Sequence, residues 1–388
     1  MATATTTASR FPNWVGALAP LLLIALLIGV FLVLEPISAL NEPPPVEAGA
    51  IERTVLAEDS ISLRVRNDGP DTVTIAQVLI NDAYRPFEIG DNELGRLEAT
   101  QVDIPYMWEE GLPLHIVLLT RTGVAIEHEI EAATLTPEVD GRAIGIYALL
   151  GLYIGVIPVA IGLLWFPALK RASPNWIAFF LAFTIGLLAF LLIDTLAEGL
   201  ELSAETGAAL DGVGLFGIGA LGAILVLTAV GTALSSRRAG ALTLAYFVSI
   251  GIGLHNLGEG LAVGAAVAAG EVALGTFLVL GFALHNTTEG LAIVAPLGRE
   301  KTRPALKHFV AFGAVAGLPT VVGAWLGGFA FHPGLASLFF GVAAGAIAQV
   351  IWTVARGMPR SSSLATPVGA AGAVAGLVLM YLTGLFTA

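Results

Sequence analysis

The chain has 388 residues, 56% of them hydrophobic and 12% charged, which is more apolar surface than a soluble fold of this length can bury; the lipid bilayer is the expected solvent. Cysteine is absent, so disulfide frameworks, thiolate zinc sites, iron–sulfur clusters and cysteine nucleophiles are excluded, and any metal must be held by nitrogen and oxygen. The formal net charge of -12 is local: residues 41–142 hold 20 acidic and 7 basic side chains, and the remainder is close to neutral.

The first apolar run, Trp14 to Leu34, is close to the ~20 residues that a helix needs to cross the hydrocarbon core. Arg10 precedes it, as in a signal peptide. The run is longer than an ordinary signal core, and no clear small-x-small site follows before Glu35-Pro36, so an uncleaved anchor is expected over residues 1–40. From about Pro43 to Pro137 the apolar period becomes two. Ile61 to Arg66, Thr72 to Ile75 and Leu112 to Leu119 alternate as strands do. Asn67-Asp68-Gly69-Pro70 and Arg121-Thr122-Gly123 supply turns. Residues 41–140 thus read as an acidic β-sandwich, immunoglobulin-like in character, outside the membrane.

After Arg142 eight apolar spans follow, at about 143–166, 175–197, 210–234, 240–268, 272–296, 307–330, 335–355 and 366–386, forming a domain over 141–388. Arg10, Lys170-Arg171, Arg237-Arg238, the Arg299 to Lys307 cluster and Arg356 with Arg360 fall on one side of the successive spans. The opposite loops carry Glu201, Glu205, Asp211 and Glu271. The positive-inside rule then gives nine spans in a plasma membrane, with a cytoplasmic N-terminus and an extracytoplasmic β-domain and C-terminus.

Two segments carry the chemistry: His255-Asn256-Leu257-Gly258-Glu259-Gly260 and His285-Asn286-Thr287-Thr288-Glu289-Gly290. Positions i and i+4 share a helix face, so each helix presents one imidazole and one carboxylate together. Leu257 and His285 are equally distant from the turn near Gly270-Glu271, which sets both motifs at one depth near mid-membrane. A charge there costs roughly 2.5–3.5 kcal/mol even on an insertion scale, and a cation offsets it. Two His and two Glu form a shell suited to zinc, iron(II), manganese or cobalt. Asn256 and Asn286, one step round each helix, offer carbonyl oxygen to a neighbouring second position.

With these residues the chain resembles the ZIP family of metal transporters, in particular its prokaryotic GufA-like branch. The run Leu254 to Pro296 looks like the family's fourth and fifth helices, whose usual motif is His-Asn-x-Pro-Glu-Gly. The resemblance covers the last eight spans and implies an all-α polytopic membrane protein: a ZIP-like eight-helix bundle, here with an added N-terminal anchor and an extracytoplasmic β-sandwich. It implies transport of a divalent metal into the cytoplasm, zinc first and iron, manganese, cobalt or cadmium as alternatives. His255, Glu259, His285 and Glu289 would be the primary ligands, with Asn256 and Asn286 bordering a second metal. Asp194 and Glu198 fall where the family places polar residues near the outer mouth, and Asp194 is expected to sit deeper; a carboxylate face at a helix end explains the pair equally well.

Three positions depart from the family pattern. Gly258 and Thr288 replace the motif prolines, so a break there would have to come from glycine flexibility or threonine back-bonding. Gly317-Leu318-Pro319 lacks a bridging Glu, and Thr353-Val354 replaces a Glu pair. One main metal position and a weakened second one are therefore expected.

Gln349 is a candidate for the same polar interior, or a strut between helices. His308, beside Lys307, is a candidate for the cytoplasmic exit, with an interfacial role as the default for it and for His332. His128 among Glu127, Glu129 and Glu131 reads as an ion-capturing cluster or, more plainly, as a solvated strand edge, while His115 reads as structural. The glycines between Gly212 and Gly222 read as close helix packing. No Walker loop, HExxH or catalytic triad is present, so no enzyme, organic cofactor or nucleic-acid partner is expected. The expected partners are the divalent metal as substrate, the lipid bilayer and a second copy of the chain as a homodimer. A membrane protein that binds or senses metal without moving it is the alternative, and an intramembrane metalloprotease is a distant third.

Overall fold

The computed structural model describes residues 13–34, 45–130, 133–206, 210–235, 240–268, 272–300, 303–358 and 363–385. The turn at Gly270-Glu271, the basic residues Arg10, Arg237, Arg238, Lys301 and Arg360, and Glu131 lie outside them. The chain divides into two units, 1–46 and 47–388. The first contains α1 (Asn13–Leu34), a 22-residue helix with Pro20 inside it. Leu21, Leu22, Leu26, Leu27 and Phe31 are all exposed on it, so it presents no polar stripe, as suits a helix bathed in apolar solvent.

The second unit opens with nine strands. β1 (Gly49–Ala57), β2 (Ser60–Asn67), β7 (Ala99–Pro105) and β5 (Glu88–Ile89) form one sheet; β4 (Ala83–Arg85), β3 (Val73–Ile80), β8 (Leu114–Thr120) and β9 (Ala125–Ile130) form the other, with β6 (Glu93–Leu94) beside β3. Alternation decides the core. Ile61, Leu63 and Val65 of β2, Val102 and Ile104 of β7, and Ile116 and Leu118 of β8 are fully buried in one apolar cluster between the sheets, and their neighbours in sequence face outward. The predicted turn forms around Asn67, whose amide bonds the Asp71 and Leu94 carbonyls, each at 2.7 Å, while its Oδ1 accepts from Gly69 N at 2.8 Å. The β1–β2 register shifts between Ile51 and Arg53, leaving Glu52 as the extra residue of a bulge, which re-aims its neighbours.

Among the described residues of this unit, eight helical segments are long and apolar enough to cross a membrane, as many as the sequence led us to expect after Arg142. The first consists of α2 (Gly141–Gly151), a π-helical turn (Leu152–Val156), α3 (Ile157–Leu163) and α4 (Phe166–Leu169). Then come α5 (Pro174–Glu205), α6 (Gly212–Ser235), α7 (Ala241–Ala268), α8 (Val272–Val294), α9 (Leu306–Ala330), α10 (Pro333–Gly357) and α11 (Pro367–Gly384). α5 runs eight residues beyond the expected end at 197. Glu198 and Glu201 stop the hydropathy signal there but not the helix, which continues past Ser203, whose hydroxyl meets that of Ser337 at 2.7 Å.

Small residues bring the helix backbones together. A Cβ on Gly260 of α7 would strike the Thr320 carbonyl of α9, and a Cβ on Gly323 of α9 would strike the Leu257 carbonyl of α7. This reciprocal contact fixes the rotation of α7, and with it the direction in which His255 and Glu259 point. Gly162 of α3 and Gly290 of α8 make the same kind of exchange, each closing on the other's Cα.

Candidate metal centre

α7 and α8 are unbroken through both motifs. Thr288 does back-bond, to the His285 carbonyl at 2.7 Å, without interrupting α8. The irregular backbone lies instead on the helices opposite. The π-helical turn is followed by Pro158, the second residue of α3, whose missing N–H leaves the Ile154 carbonyl without its usual partner four residues on. Asn286 Nδ2 fills that place at 2.8 Å. On the other side Asn256 Nδ2 donates to the Ala316 carbonyl at 3.0 Å, three residues before Pro319 inside α9. Each motif asparagine thus moors its helix to a partner helix next to a proline.

This mooring brings the four predicted ligands together. One donor atom from each of His255, Glu259, His285 and Glu289 lies within 4.8 Å of all the others, and all four side chains are buried. Two donors at ~2.0–2.1 Å from one ion lie at most about 4.2 Å apart, so small side-chain adjustments close the shell. Glu259 is the hub: Oε1 contacts His285 Nε2 and lies 3.2 Å from His255 Nε2, and Oε2 accepts from Asn286 Nδ2 at 2.7 Å. Glu289 differs. It is fully buried, yet neither carboxylate oxygen has a hydrogen-bond partner; the same holds for His255 Nε2, Asn256 Oδ1 and Asn286 Oδ1. Buried polar atoms are rarely left unpaired, and here five of them belong to the two motifs, with only nitrogen and oxygen on offer. That donor set fits a divalent transition metal.

Comparison with protein-family models and with curated proteins gives no match to this chain.

Other expected participants are placed differently. Asp194, expected to sit deeper than Glu198, is exposed, whereas Glu198 is half-buried; neither belongs to the cluster. The residue of α5 that reaches it is the intervening Thr195, fully buried, with Oγ1 2.9 Å from His255 Nδ1. Sequence reading passed over it because a threonine in an apolar helix carries no metal signal of its own. Gln349 is half-buried and its side chain makes none of the cluster's polar contacts. His308 bonds the Tyr246 hydroxyl at 2.9 Å, joining α9 to α7. Leu318, which stands where a bridging Glu was sought, is 47% exposed; α9 turns Ala316, Thr320 and Gly323 inward, so this position faces away from the cluster whatever residue fills it. Val354 is fully buried among apolar neighbours.

In the β-domain His128 turns away from the exposed Glu127 and Glu129 and meets Thr54 Oγ1 at 3.0 Å, and burial pulls its imidazole below the ordinary value. His115 lies on the outer face, 4.0 Å from Glu127. The solvated edge thus describes Glu127, Glu129 and His115, while His128 faces inward and does not join the exposed carboxylates in a cluster. His332 caps α10 through Nδ1, which accepts from Gly334 N at 3.1 Å and Leu335 N at 3.4 Å, and its Nε2 meets Glu52 Oε1 of the β-domain at 3.1 Å.

Proposed function

We propose that this protein is a secondary transporter that carries a divalent transition metal ion, zinc foremost, across a membrane into the cytoplasm. The carrying observation is the buried four-ligand cluster, with Glu289 and His255 Nε2 unpaired, in the middle of two adjacent apolar helices. A cation there offsets carboxylates that lipid-depth burial otherwise penalises, and mid-membrane sites between helices are what alternating-access carriers use. The doubled His-Asn-x-x-Glu-Gly pattern and the number of spans support membership of the ZIP metal transporters. In this reading the basic loops face the cytoplasm and the β-domain lies outside.

Buried apolar clusters lie on both sides of the site, the smaller one, Ile154, Val263 and Phe282, toward the end of α7 and the start of α8. Toward the start of α7 and the end of α8, Val248, Ile252, Ile293, Val294, Leu297 and Phe312 pack as one buried apolar cluster. In the proposed orientation this cluster seals the cytoplasmic side of the site. Delivery inward then requires these helices to part, and rigid movement of one helix group against another supplies that motion.

The test is zinc entry into proteoliposomes for the native chain and for the double variant His255→Ala/Glu289→Ala. Loss of flux in the variant supports the reading; undiminished flux sinks it. A second reading, a metal sensor with a static site, is favoured by the β-domain's hold on the bundle, where Arg53 donates to the Phe329 carbonyl at 2.7 Å. Metal bound with no transmembrane flux selects that one.

A further inference from the structure

The repeated motif suggests two equivalent histidines, but their surroundings differ. We propose that Thr195 is a positioning residue that sets the tautomer of His255, so that Nε2 is the nitrogen this histidine offers to a metal. The inference rests on the metal-site reading above.

Thr195 Oγ1 lies 2.7 Å from the Leu191 carbonyl and 2.9 Å from His255 Nδ1. A hydroxyl has one proton, and a carbonyl can only accept. If the proton goes to Leu191 O, Oγ1 is left as an acceptor for a proton on Nδ1, and Nε2 keeps its lone pair. In the opposite arrangement Thr195 donates to Nδ1 and the imidazole proton sits on Nε2. The one acceptor within reach of that proton is Glu259 Oε1 at 3.2 Å, an oxygen already bonded to His285 Nε2, and His255 Nε2 makes no well-formed hydrogen bond to it. The first arrangement satisfies every group except the lone pair on Nε2, which is the atom a metal takes. Metal-bound histidines commonly donate their other ring N–H to an oxygen in this way.

His285 is held otherwise. Its Nε2 is hydrogen-bonded to Glu259 Oε1, so that nitrogen is occupied when no metal is bound. Among the described residues no threonine hydroxyl bonds its other ring nitrogen as Thr195 bonds that of His255. His255 is therefore the imidazole set in advance, and His285 is the one that must exchange a hydrogen bond for the metal. The residue that makes this difference is on α5, outside both motifs.

The test uses the purified full chain in lipid nanodiscs with cobalt(II) as the spectroscopic probe. Thr195→Val keeps the side-chain shape but removes the acceptor; its cobalt affinity is expected to fall about 10–100-fold, with a changed visible absorption band, and Thr195→Ser is expected to restore both. In a His255→Ala background Thr195→Val should cause no further loss. An undiminished affinity in Thr195→Val, or an equal loss in the His255→Ala background, overturns the proposal. ¹⁵N NMR of the histidines in the metal-free native chain, assigned by difference from His255→Ala, tests the tautomer without any variant of Thr195: a proton on Nδ1 supports it, and a proton on Nε2 overturns it. If the native chain binds no cobalt, the metal-site reading fails and this role fails with it; the NMR result still decides separately whether Thr195 sets the tautomer.

Discussion

Asn286 Nδ2 donates to Glu259 Oε2 at 2.7 Å while also donating to the Ile154 carbonyl at 2.8 Å, so one amide group links α8, the ligand of α7 and the π-helical turn before α3. Asn256, its counterpart in the other motif, donates to the Ala316 carbonyl and makes no such bond to Glu259 among the described residues. The repeat is symmetric in sequence and asymmetric in bonding. Asn286→Ala removes a partner from a ligand carboxylate, and metal affinity is expected to fall about 10–100-fold; Asn256→Ala should lower it less. Cobalt titration of the two variants side by side checks the order, and equal losses would count against it.

The two glutamates should separate stability from binding. Glu259 holds contacts to His285 and Asn286, whereas both oxygens of Glu289 are buried without partners. Glu259→Gln leaves those partners mismatched, and the metal-free protein should lose about 1–3 kcal/mol. Glu289→Gln disturbs no hydrogen bond, so the metal-free melting temperature should hold or rise while metal binding falls. In the native chain saturating metal should raise the melting temperature, since ligand at 100 times its Kd contributes about 2.7 kcal/mol. In Glu289→Gln that rise should be largely lost. Melting curves with and without zinc measure all of this.

Much of this was legible from residues alone because it depends on period and spacing. The i, i+4 interval put His255 with Glu259 and His285 with Glu289, the shared distance from a turn put both motifs at one depth, and alternation at Ile61 to Arg66 disclosed a strand. What sequence could not supply was helix rotation. Thr195 rather than Asp194 faces the cluster, and Leu318 faces outward, because glycine contacts between helices set each helix's angle, and a glycine's partner is invisible in one chain's sequence. The same holds for the irregular backbone: the absent motif prolines at Gly258 and Thr288 pointed to α7 and α8, while Pro158 and Pro319 act from the neighbouring helices.

Because the rotation of α7 depends on that packing, Gly260→Ala should damage the site without touching a ligand. Its added methyl meets the Thr320 carbonyl, a backbone atom that cannot swing aside. Overpacking of this kind costs typically about 1–3 kcal/mol, and a displaced Glu259 should lose metal affinity as well. Gly323→Ala, on the other face of the same contact, is expected to reproduce both effects. Gly217→Ala on α6, where nothing lies within 4 Å of an added Cβ, is the control and should change neither. Thermal stability and cobalt affinity of the three variants give the comparison; a Gly260→Ala protein with native affinity would show that α7 is not held by this contact.

The β-domain meets the bundle where Glu52 and His332 bond. Glu52, the bulged residue of β1, has a side chain only 6% exposed and is paired with Arg66, with Arg64 at 3.2 Å and with His332 at 3.1 Å. Burial by itself would raise its carboxyl, but the Arg66 hydrogen bond and charge, aided by His332 and Arg64, outweigh it and hold the group below its ordinary value of 4.5. A carboxylate depressed in the folded state contributes stability above its unfolded value, and that contribution disappears as pH falls through the folded value. Glu52→Gln should therefore weaken this junction at pH 7 by about 1–3 kcal/mol. The difference from the native chain should shrink below pH 4.5 as the native carboxyl takes up its proton. Hydrogen exchange of the β1–β2 hairpin and of the first turn of α10 reads both sides of the contact: at pH 7 the variant should lose protection in both. If exchange rises in the hairpin alone, Glu52 steadies its own sheet through the arginines and the bond to His332 contributes nothing to holding the β-domain on α10.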